Sequence, residues 1–234
     1  MIYMGLDTSG RSASVAIMED NTLLYECTLN TGLTHSETLL ELVQQALTQC
    51  HLTPQQVDVW GVCSGPGSFT GLRIGIALVK GLSFGSNAVC APVSTLEALA
   101  FGLPAEGTVV SALDARRGQV YWAGFSAGAV PTRLTSDEAS SLDCLDEFVE
   151  NCKKPLFFVG DGAGLCYNRY DSIAGVRPCT PVQQCCPASG VCLAAKESYA
   201  KGLCVPPAQL MPNYLRLSQA ERERKARLEG EPAT

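Results

Sequence analysis

Residues 63–77 read Cys-Ser-Gly-Pro-Gly-Ser-Phe-Thr-Gly-Leu-Arg-Ile-Gly-Ile-Ala, and this stretch decides the fold. It joins a short apolar strand, predicted at 57–63, to a helix predicted from about Thr70 to Phe84. The joining loop of Gly, Pro and Ser lets the backbone expose N–H groups where the helix begins. Because the helix dipole adds to these donors, such a helix start favours the binding of an anion.

The helix that follows this loop is apolar around its whole circumference except for a narrow strip formed by Arg73 and Lys80. A helix that is apolar on every side must be covered on every side. The sequence therefore predicts a sheet on one side of this helix and a neighbouring helix or another protein on the other.

Composition limits the class of protein. The chain has 234 residues, of which 46% are hydrophobic and 17% charged, so it can bury a core and form one large or two small domains. Its net charge of −6 argues against a large nucleic-acid-binding surface. With no basic segment at the N-terminus and no apolar run of membrane-spanning length, we expect a cytoplasmic protein without signal peptide, anchor or membrane contact.

The twelve cysteines are then expected to be thiols. They contain no C-x-x-C spacing, and the nearest approach to a metal cluster is formed by Cys179, Cys185, Cys186 and Cys192. We expect ordinary thiols there rather than a structural zinc site.

The order of elements predicts two α/β units. Strands are expected at 2–7, 12–18 and 23–29, and capping boxes at Thr34–Glu37 and Ser94–Glu97 open two helices. A boundary near 104–107 separates an N-terminal unit, 1–104, from a smaller C-terminal unit, 105–217, and a charged tail at 218–234 follows.

Three turns, each directly after a predicted strand or strand pair, indicate a possible function. Asp7-Thr8-Ser9-Gly10 follows the first strand, a second Asp turn lies at 114–118, and a glycine-rich turn lies at 160–164. Each turn is weak evidence alone, since Asp, Ser and Gly are ordinary turn residues. Together they resemble the actin-like ATPase (ribonuclease H-like) superfamily, which implies two subdomains, each a mixed β-sheet with flanking helices.

A closer resemblance covers nearly the whole chain, in order. The motifs are Leu6–Ser9, His35–Glu37, Ser64–Gly75, Ser94–Leu99, Asp114–Tyr121, Gly160–Ala163 and Pro212–Arg216. With them the chain resembles the TsaB (YeaZ) family, a branch of the actin-like superfamily. The run from Gly65 to Arg73 is the most specific of them.

The resemblance implies a non-catalytic assembly subunit in the formation of threonylcarbamoyladenosine, the modified adenosine next to the anticodon of certain tRNAs. The implied partners are a TsaD-like catalytic subunit and a TsaE-like ATPase, with a homodimer when the chain is alone and tRNA bound only through the complex. No intrinsic cofactor is implied, while ATP or ADP at a junction with a partner stays open.

The histidines agree with a non-catalytic role. TsaD-type enzymes hold a metal with a His-x-x-x-His pair, whose spacing places both imidazoles on one helix face. Here position i+4 from His35 is Leu39, and the only other histidine is His51, so we expect no metal site. A metallopeptidase is disfavoured for the same reason, whereas an actin-like ATP-binding enzyme of the kinase type remains the alternative.

Two sets of residues are predicted to form sites. The surplus apolar surface of the helices at 34–50 and 70–84 predicts a partner interface, although the same arcs would also suit helices that cover each other and the sheet. The interface set is His35, Leu39, Leu42, Val43, Ala46, Phe69, Leu72, Arg73, Ile76 and Lys80. The set predicted for a remnant nucleotide site is Asp7, Thr8, Ser9, Gly65 and Gly67.

Overall fold

The computed structural model describes residues 1–103 and 106–216, and the predicted charged tail at 218–234 lies outside them. The described chain forms two β-sheets with helices on both faces of each. Among these residues no helix combines the length and apolarity needed to span a bilayer.

The first sheet has five strands in the order β3-β2-β1-β4-β5. β1 pairs antiparallel with β2 and parallel with β4, which in turn pairs parallel with β5. The central strands are buried on both faces and read as continuous apolar runs, as expected for a covered sheet. The strands are β1 (Ile2–Asp7), β2 (Ala13–Glu19), β3 (Thr22–Leu29), β4 (Val59–Gly65) and β5 (Val89–Ser94).

Three helices follow the predicted pattern. α1 (His35–Gln49) begins with the predicted capping box at Thr34, and α3 (Thr95–Phe101) begins at Ser94, whose hydroxyl accepts the Glu97 N–H. α2 (Phe69–Ser83) begins one residue before its predicted start, because the hydroxyl of Ser68 accepts the N–H of Gly71 and caps the helix.

The second sheet contains six strands, ordered β11-β10-β6-β7-β8, with β9 paired to β7. Its strands are β6 (Thr108–Arg116), β7 (Gln119–Ser126), β8 (Thr132–Arg133), β9 (Glu138–Ser141), β10 (Leu156–Val159) and β11 (Val176–Arg177). Its outer face is covered by α4 (Asp146–Asn151) and α5 (Ala163–Tyr170), and a last helix, α6 (Ala188–Ala200), follows. α4 follows directly on a 3₁₀ turn at Leu142–Leu145.

Five layers result from this order. α1 and α2 cover the outer face of the first sheet, α3 and α6 fill the space between the sheets, and α4 and α5 cover the second sheet. α6 packs on the first sheet, and Val205 then exchanges both backbone hydrogen bonds with Cys90 of β5. In chain order, the predicted boundary at 104–107 falls between the two sheets, and the segment 188–216 comes back to the first sheet after the second.

The pair Leu39 and Leu40 tests the packing of α1. Leu39 is 1% exposed and Leu40 is 46% exposed. We expect Leu39→Ala to lower the free energy of unfolding by about 2–5 kcal/mol, since it opens a cavity beside the sheet. Leu40→Ala should change it by less than about 0.5 kcal/mol. Urea unfolding of both variants measures the difference, and equal effects would contradict the placement of α1.

Candidate functional site

The candidate site is the cleft between the two sheets, where the turn after β1 faces the turn after β6. The cleft encloses about 330 Å³. Its lining includes Asp7, Ser9, Arg11, Asp114, Arg116 and Asp161. Two topologically equivalent strand–turn–strand units thus present carboxylates and guanidinium groups to one space, as the order of the three turns predicts.

The turn after β1 is bonded to the start of α2. The hydroxyl of Thr8 donates to the carbonyl of Gly71 at 2.8 Å, and the N–H of Ser68 donates to the carbonyl of Ser9 at 2.7 Å. A Cβ atom at Gly67 would lie 2.6 Å from that Ser9 oxygen, and one at Gly71 would overlap the Thr8 carbonyl. Glycine is therefore required at both positions by close backbone approach.

Because of this contact, only some of the residues predicted for a nucleotide site face the cleft. The N–H groups of Ser68 and Gly71 are both used within the chain, so the expectation that the loop exposes them to an anion is wrong at these two positions. Asp7, Ser9 and Gly67 line the cleft, whereas the side chain of Thr8 is fully buried and turned toward α2. Gly65 is also buried, beneath the backbone of Asn213.

Asp7, at the end of β1, is a buried carboxyl group with only 1% of its surface exposed. Its Oδ1 accepts the N–H of Ser9 at 3.0 Å, while Oδ2 accepts no hydrogen bond of ordinary geometry from the described residues. Burial raises the pKa of the Asp7 carboxyl above its ordinary value, since the charged form loses its hydration.

Across the cleft, Asp114 and Asp161 form a linked pair. Asp161 Oδ1 accepts the N–H of Asp114 at 2.9 Å, and Asp114 Oδ1 accepts the N–H of Arg116 at 2.7 Å. Burial raises the pKa of Asp161, and the negative charge of Asp114 raises it further. Both residues lie in predicted turns, but their proximity depends on the register of β6 beside β10, which local sequence does not reveal.

A segment near the end of the described chain closes one side of the site. We call residues 205–216 the C-terminal strap. The ring of Tyr214 stacks on Phe69 with centroids 4.4 Å apart, and its hydroxyl accepts the Nε–H of Arg73 at 2.7 Å. Arg216 donates to the carbonyl of Ala115 at 3.1 Å, so the strap joins the start of α2 to the turn of the second sheet.

The residues predicted to form a partner interface lie mostly inside the chain. Six of their side chains are buried inside the chain, which is a correction, because in this conformation they are packed within the chain and do not face solvent. These six are Leu39, Leu42, Val43, Ala46, Leu72 and Ile76.

The other four interface residues also have intramolecular contacts. His35 Nε2 lies 3.0 Å from the carbonyl oxygen of Gly10, and Lys80 donates to the carbonyl of Ala208 at 3.3 Å. Phe69 and Arg73 contact Tyr214 as described above. The strap thus covers Phe69 and the cationic strip of α2, so these residues have partners within the chain.

The two strand–turn–strand units, the mixed sheets and the cleft between them define a protein of the actin-like ATPase fold. Comparison with known proteins narrows this class. A family model described as TsaD, tRNA N6-adenosine threonylcarbamoyltransferase, matches residues 30–155, more than half of the chain.

Individual relatives point to one branch of that family. A tRNA threonylcarbamoyladenosine biosynthesis protein TsaB from Bacillus subtilis is 29% identical over 94% of this chain and 96% of its own length. The TsaB protein of Escherichia coli is 35% identical over 53% of this chain and 55% of its own length.

Solved structures agree. YeaZ from Pseudomonas aeruginosa superposes with a TM-score of 0.74 at 26% identity, covering 92% of this chain and 99% of its own. A second Pseudomonas aeruginosa protein, described as similar to the peptidase YeaZ, gives a TM-score of 0.76 at 27% identity with the same coverage. The chain therefore belongs to the family described by the TsaD model and, within that family, to the TsaB (YeaZ) proteins.

Gly71 and Gly81 test the contact between α2 and the turn after β1. A Cβ at Gly71 would overlap the Thr8 carbonyl, whereas a Cβ at Gly81 would meet nothing within 4 Å. We expect Gly71→Ala to lower the thermal unfolding midpoint strongly, since backbone must move to admit the methyl group. Gly81→Ala should stabilise by up to about 1 kcal/mol, because alanine favours the helix. A Gly71→Ala variant as stable as the wild type would contradict the contact.

Proposed function

We propose that this chain acts in the biosynthesis of threonylcarbamoyladenosine in tRNA as a non-catalytic assembly subunit, paired with a TsaD-like catalytic subunit and served by a TsaE-like ATPase. The observation that carries the proposal is likeness along almost the entire chain to proteins named for this process, in sequence and in structure. The site geometry supports the non-catalytic part.

Two features of the site favour a subunit without its own chemistry. The position that would supply a second imidazole, i+4 from His35, is Leu39, which is fully packed in the core. His35 itself is within hydrogen-bond distance of the Gly10 carbonyl oxygen, where it holds the turn after β1. A metal pair of the TsaD type would therefore need a histidine in place of Leu39, which is a change in the core.

The partner surface that we propose is the solvent side of α1 and α2. We call it the two-helix face. Its members are residues of α1 and α2 that are exposed or half-buried, of which Ile74 and Leu78 also pack against the core beneath: Leu40, Ile74, Ala77, Leu78 and Gly81. They replace the six buried residues of the original prediction.

Small residues at the middle of this face suit a helix-packing partner. Ala77 is exposed and Gly81 has open space above it, so another helix can approach to the short end of the usual 8–10 Å interaxial range. A TsaD-like subunit is the proposed occupant, because the family model for TsaD spans both helices and the partner would present a similar pair. When the chain is alone, a second copy takes that place.

Gly81 and Gly164 allow a matched test of this face. Both lie within helices, and an added Cβ at either would meet no atom within 4 Å. We expect Gly81→Glu to fold normally but to abolish co-purification with the TsaD-like partner and to reduce threonylcarbamoyladenosine in tRNA at least tenfold in a complementation assay, since it places a charge in the helix contact. Gly164→Glu makes the same charge change in α5, on the outer face of the second sheet, and should leave co-purification with the partner unchanged.

The outcomes separate the parts of the proposal. Loss of modification with both variants would point to a general defect of the fold, which circular dichroism would detect. Full activity and pairing with Gly81→Glu would reject the two-helix face. If a strain lacking this chain kept normal levels of the modified nucleoside, the proposed process itself would be wrong.

The proposal assigns tRNA binding to the assembled complex. With a net charge of −6 the chain offers little neutralisation of phosphate, on which nucleic-acid affinity depends. We expect weak binding of tRNA by the isolated protein at near-physiological salt and tighter binding after addition of the TsaD-like partner. Submicromolar affinity of the isolated chain in a filter-binding titration would contradict this assignment.

An ATP-binding enzyme of the kinase type is the alternative, and the open cleft with its arginines is the observation in its favour. Against it, two of the donors at the start of α2, the N–H groups of Ser68 and Gly71, are already used by Ser9 and Ser68. Calorimetric titration with Mg-ATP distinguishes the two functions. Heat that saturates at one nucleotide per isolated chain, with turnover, would favour the enzyme, whereas binding only in the presence of partners would place ATP or ADP at a junction.

A further inference from the structure

Three potential metal ligands meet at the base of the cleft, and the function proposed above does not use them as a set. They are the carboxylate of Asp7 and the thiols of Cys63 and Cys186, whose ligand atoms all lie within 4.8 Å of one another. All three residues are buried. From this geometry we infer that Asp7, Cys63 and Cys186 form a binding site for a thiophilic divalent cation, of which zinc is the best match.

The distance between the two sulfur atoms supports a metal rather than a direct bond. Cys63 Sγ and Cys186 Sγ are 4.0 Å apart. Two thiolates on one tetrahedral zinc, each about 2.3 Å from the metal, lie about 3.8 Å apart. A disulfide requires about 2.05 Å, so the sulfurs would have to approach by roughly 2 Å to form one.

The buried carboxylate of Asp7 is an independent reason to expect a cation at this site. Its Oδ2 is buried and accepts no hydrogen bond of ordinary geometry from the described residues, which leaves this oxygen poorly compensated. An unpaired buried polar group costs about 1–3 kcal/mol, and more when it is charged. A cation at this place would satisfy that oxygen and would offset the burial of the carboxylate.

Surrounding hydrogen bonds fix the orientation of two of the ligands, as is typical of metal sites. The N–H of Ser9 holds Asp7 Oδ1 at 3.0 Å, which leaves Oδ2 for the metal. The buried hydroxyl of Ser14 donates to the carbonyl of Cys186 at 2.8 Å and holds that residue in place. Each ligand thus comes from a different part of the chain, and a metal would tie the ends of β1 and β4 to the segment before α6.

The chemistry of the donors selects the metal. Two thiolates and one carboxylate suit zinc, since soft sulfur ligands disfavour magnesium and calcium. Binding releases the thiol protons to solvent, because the metal takes the thiolate form. Asp7 and Cys186 also line the cleft, so the fourth ligand of a tetrahedral ion is water or a group entering from that side.

This site differs from the cluster considered in the sequence analysis. Of Cys179, Cys185, Cys186 and Cys192, only Cys186 takes part. The thiol of Cys192 lies within hydrogen-bond distance of the carbonyls of Tyr3 and Ala16 in the core.

Cobalt(II) titration of the full chain, kept reduced and freed of metal with a chelator, tests the site. Cobalt bound by thiolates gives intense sulfur-to-metal charge-transfer absorption, and we expect it to saturate at one ion per chain and to disappear when zinc is added. Cys63→Ala and Cys186→Ala should each lower the affinity at least tenfold. Cys90→Ala removes an equally buried thiol from the neighbouring strand β5 and should leave the titration unchanged.

A second measurement covers the case in which the two alanine variants do not fold. The X-ray absorption spectrum of zinc-loaded wild-type protein should show two sulfur atoms at about 2.3 Å, with oxygen completing the shell. Four sulfur ligands, oxygen and nitrogen ligands alone, or cobalt absorption that persists undiminished in folded Cys63→Ala and Cys186→Ala would each overturn the inference. So would the absence of saturable binding in the wild type.

Discussion

The contact between the turn after β1 and the start of α2 is the constraint on which the rest of the structure depends. It consists of two hydrogen bonds, from Thr8 to Gly71 and from Ser68 to Ser9. Each contributes only about 0.5–1.5 kcal/mol net, but an unpaired partner in this buried place would cost about 1–3 kcal/mol. Because both bonds must form together, α2 has one position relative to β1, and that position directs Arg73 and Phe69 toward the strap.

Sequence patterns predicted the elements that are long or capped. α1 and α3 begin where the capping boxes at Thr34 and Ser94 predicted. The pattern did not predict α5, since it covers only two turns and contains Gly164, which lowers helix propensity. The two-residue edge strands β8 and β11 are too short to show any periodicity.

Long-range contacts limited the prediction of the site. An apolar arc on a helix measures how much surface must be covered, and it does not identify the cover. For α2 the cover includes Tyr214, which meets Arg73 although the two are 141 positions apart. Cys63 and Cys186 are 123 positions apart, so no local spacing could reveal them as neighbours. The turns at Asp7 and Asp114 were found because each is marked by its own residues, whereas their shared cleft is a property of the assembled sheets.

The residues that resemble a phosphate site in this sequence serve mainly to join a turn to a helix. A helix start binds an anion when its N–H groups are free, but here Ser68 and Gly71 donate within the chain. What remains in the cleft is a set of carboxylates, Asp7, Asp114 and Asp161, partly balanced by Arg11 and Arg116. Carboxylates repel a polyphosphate unless a cation lies between them. Internal use of the Ser68 and Gly71 donors therefore weakens the preference of the cleft for anions, and its carboxylates favour cations.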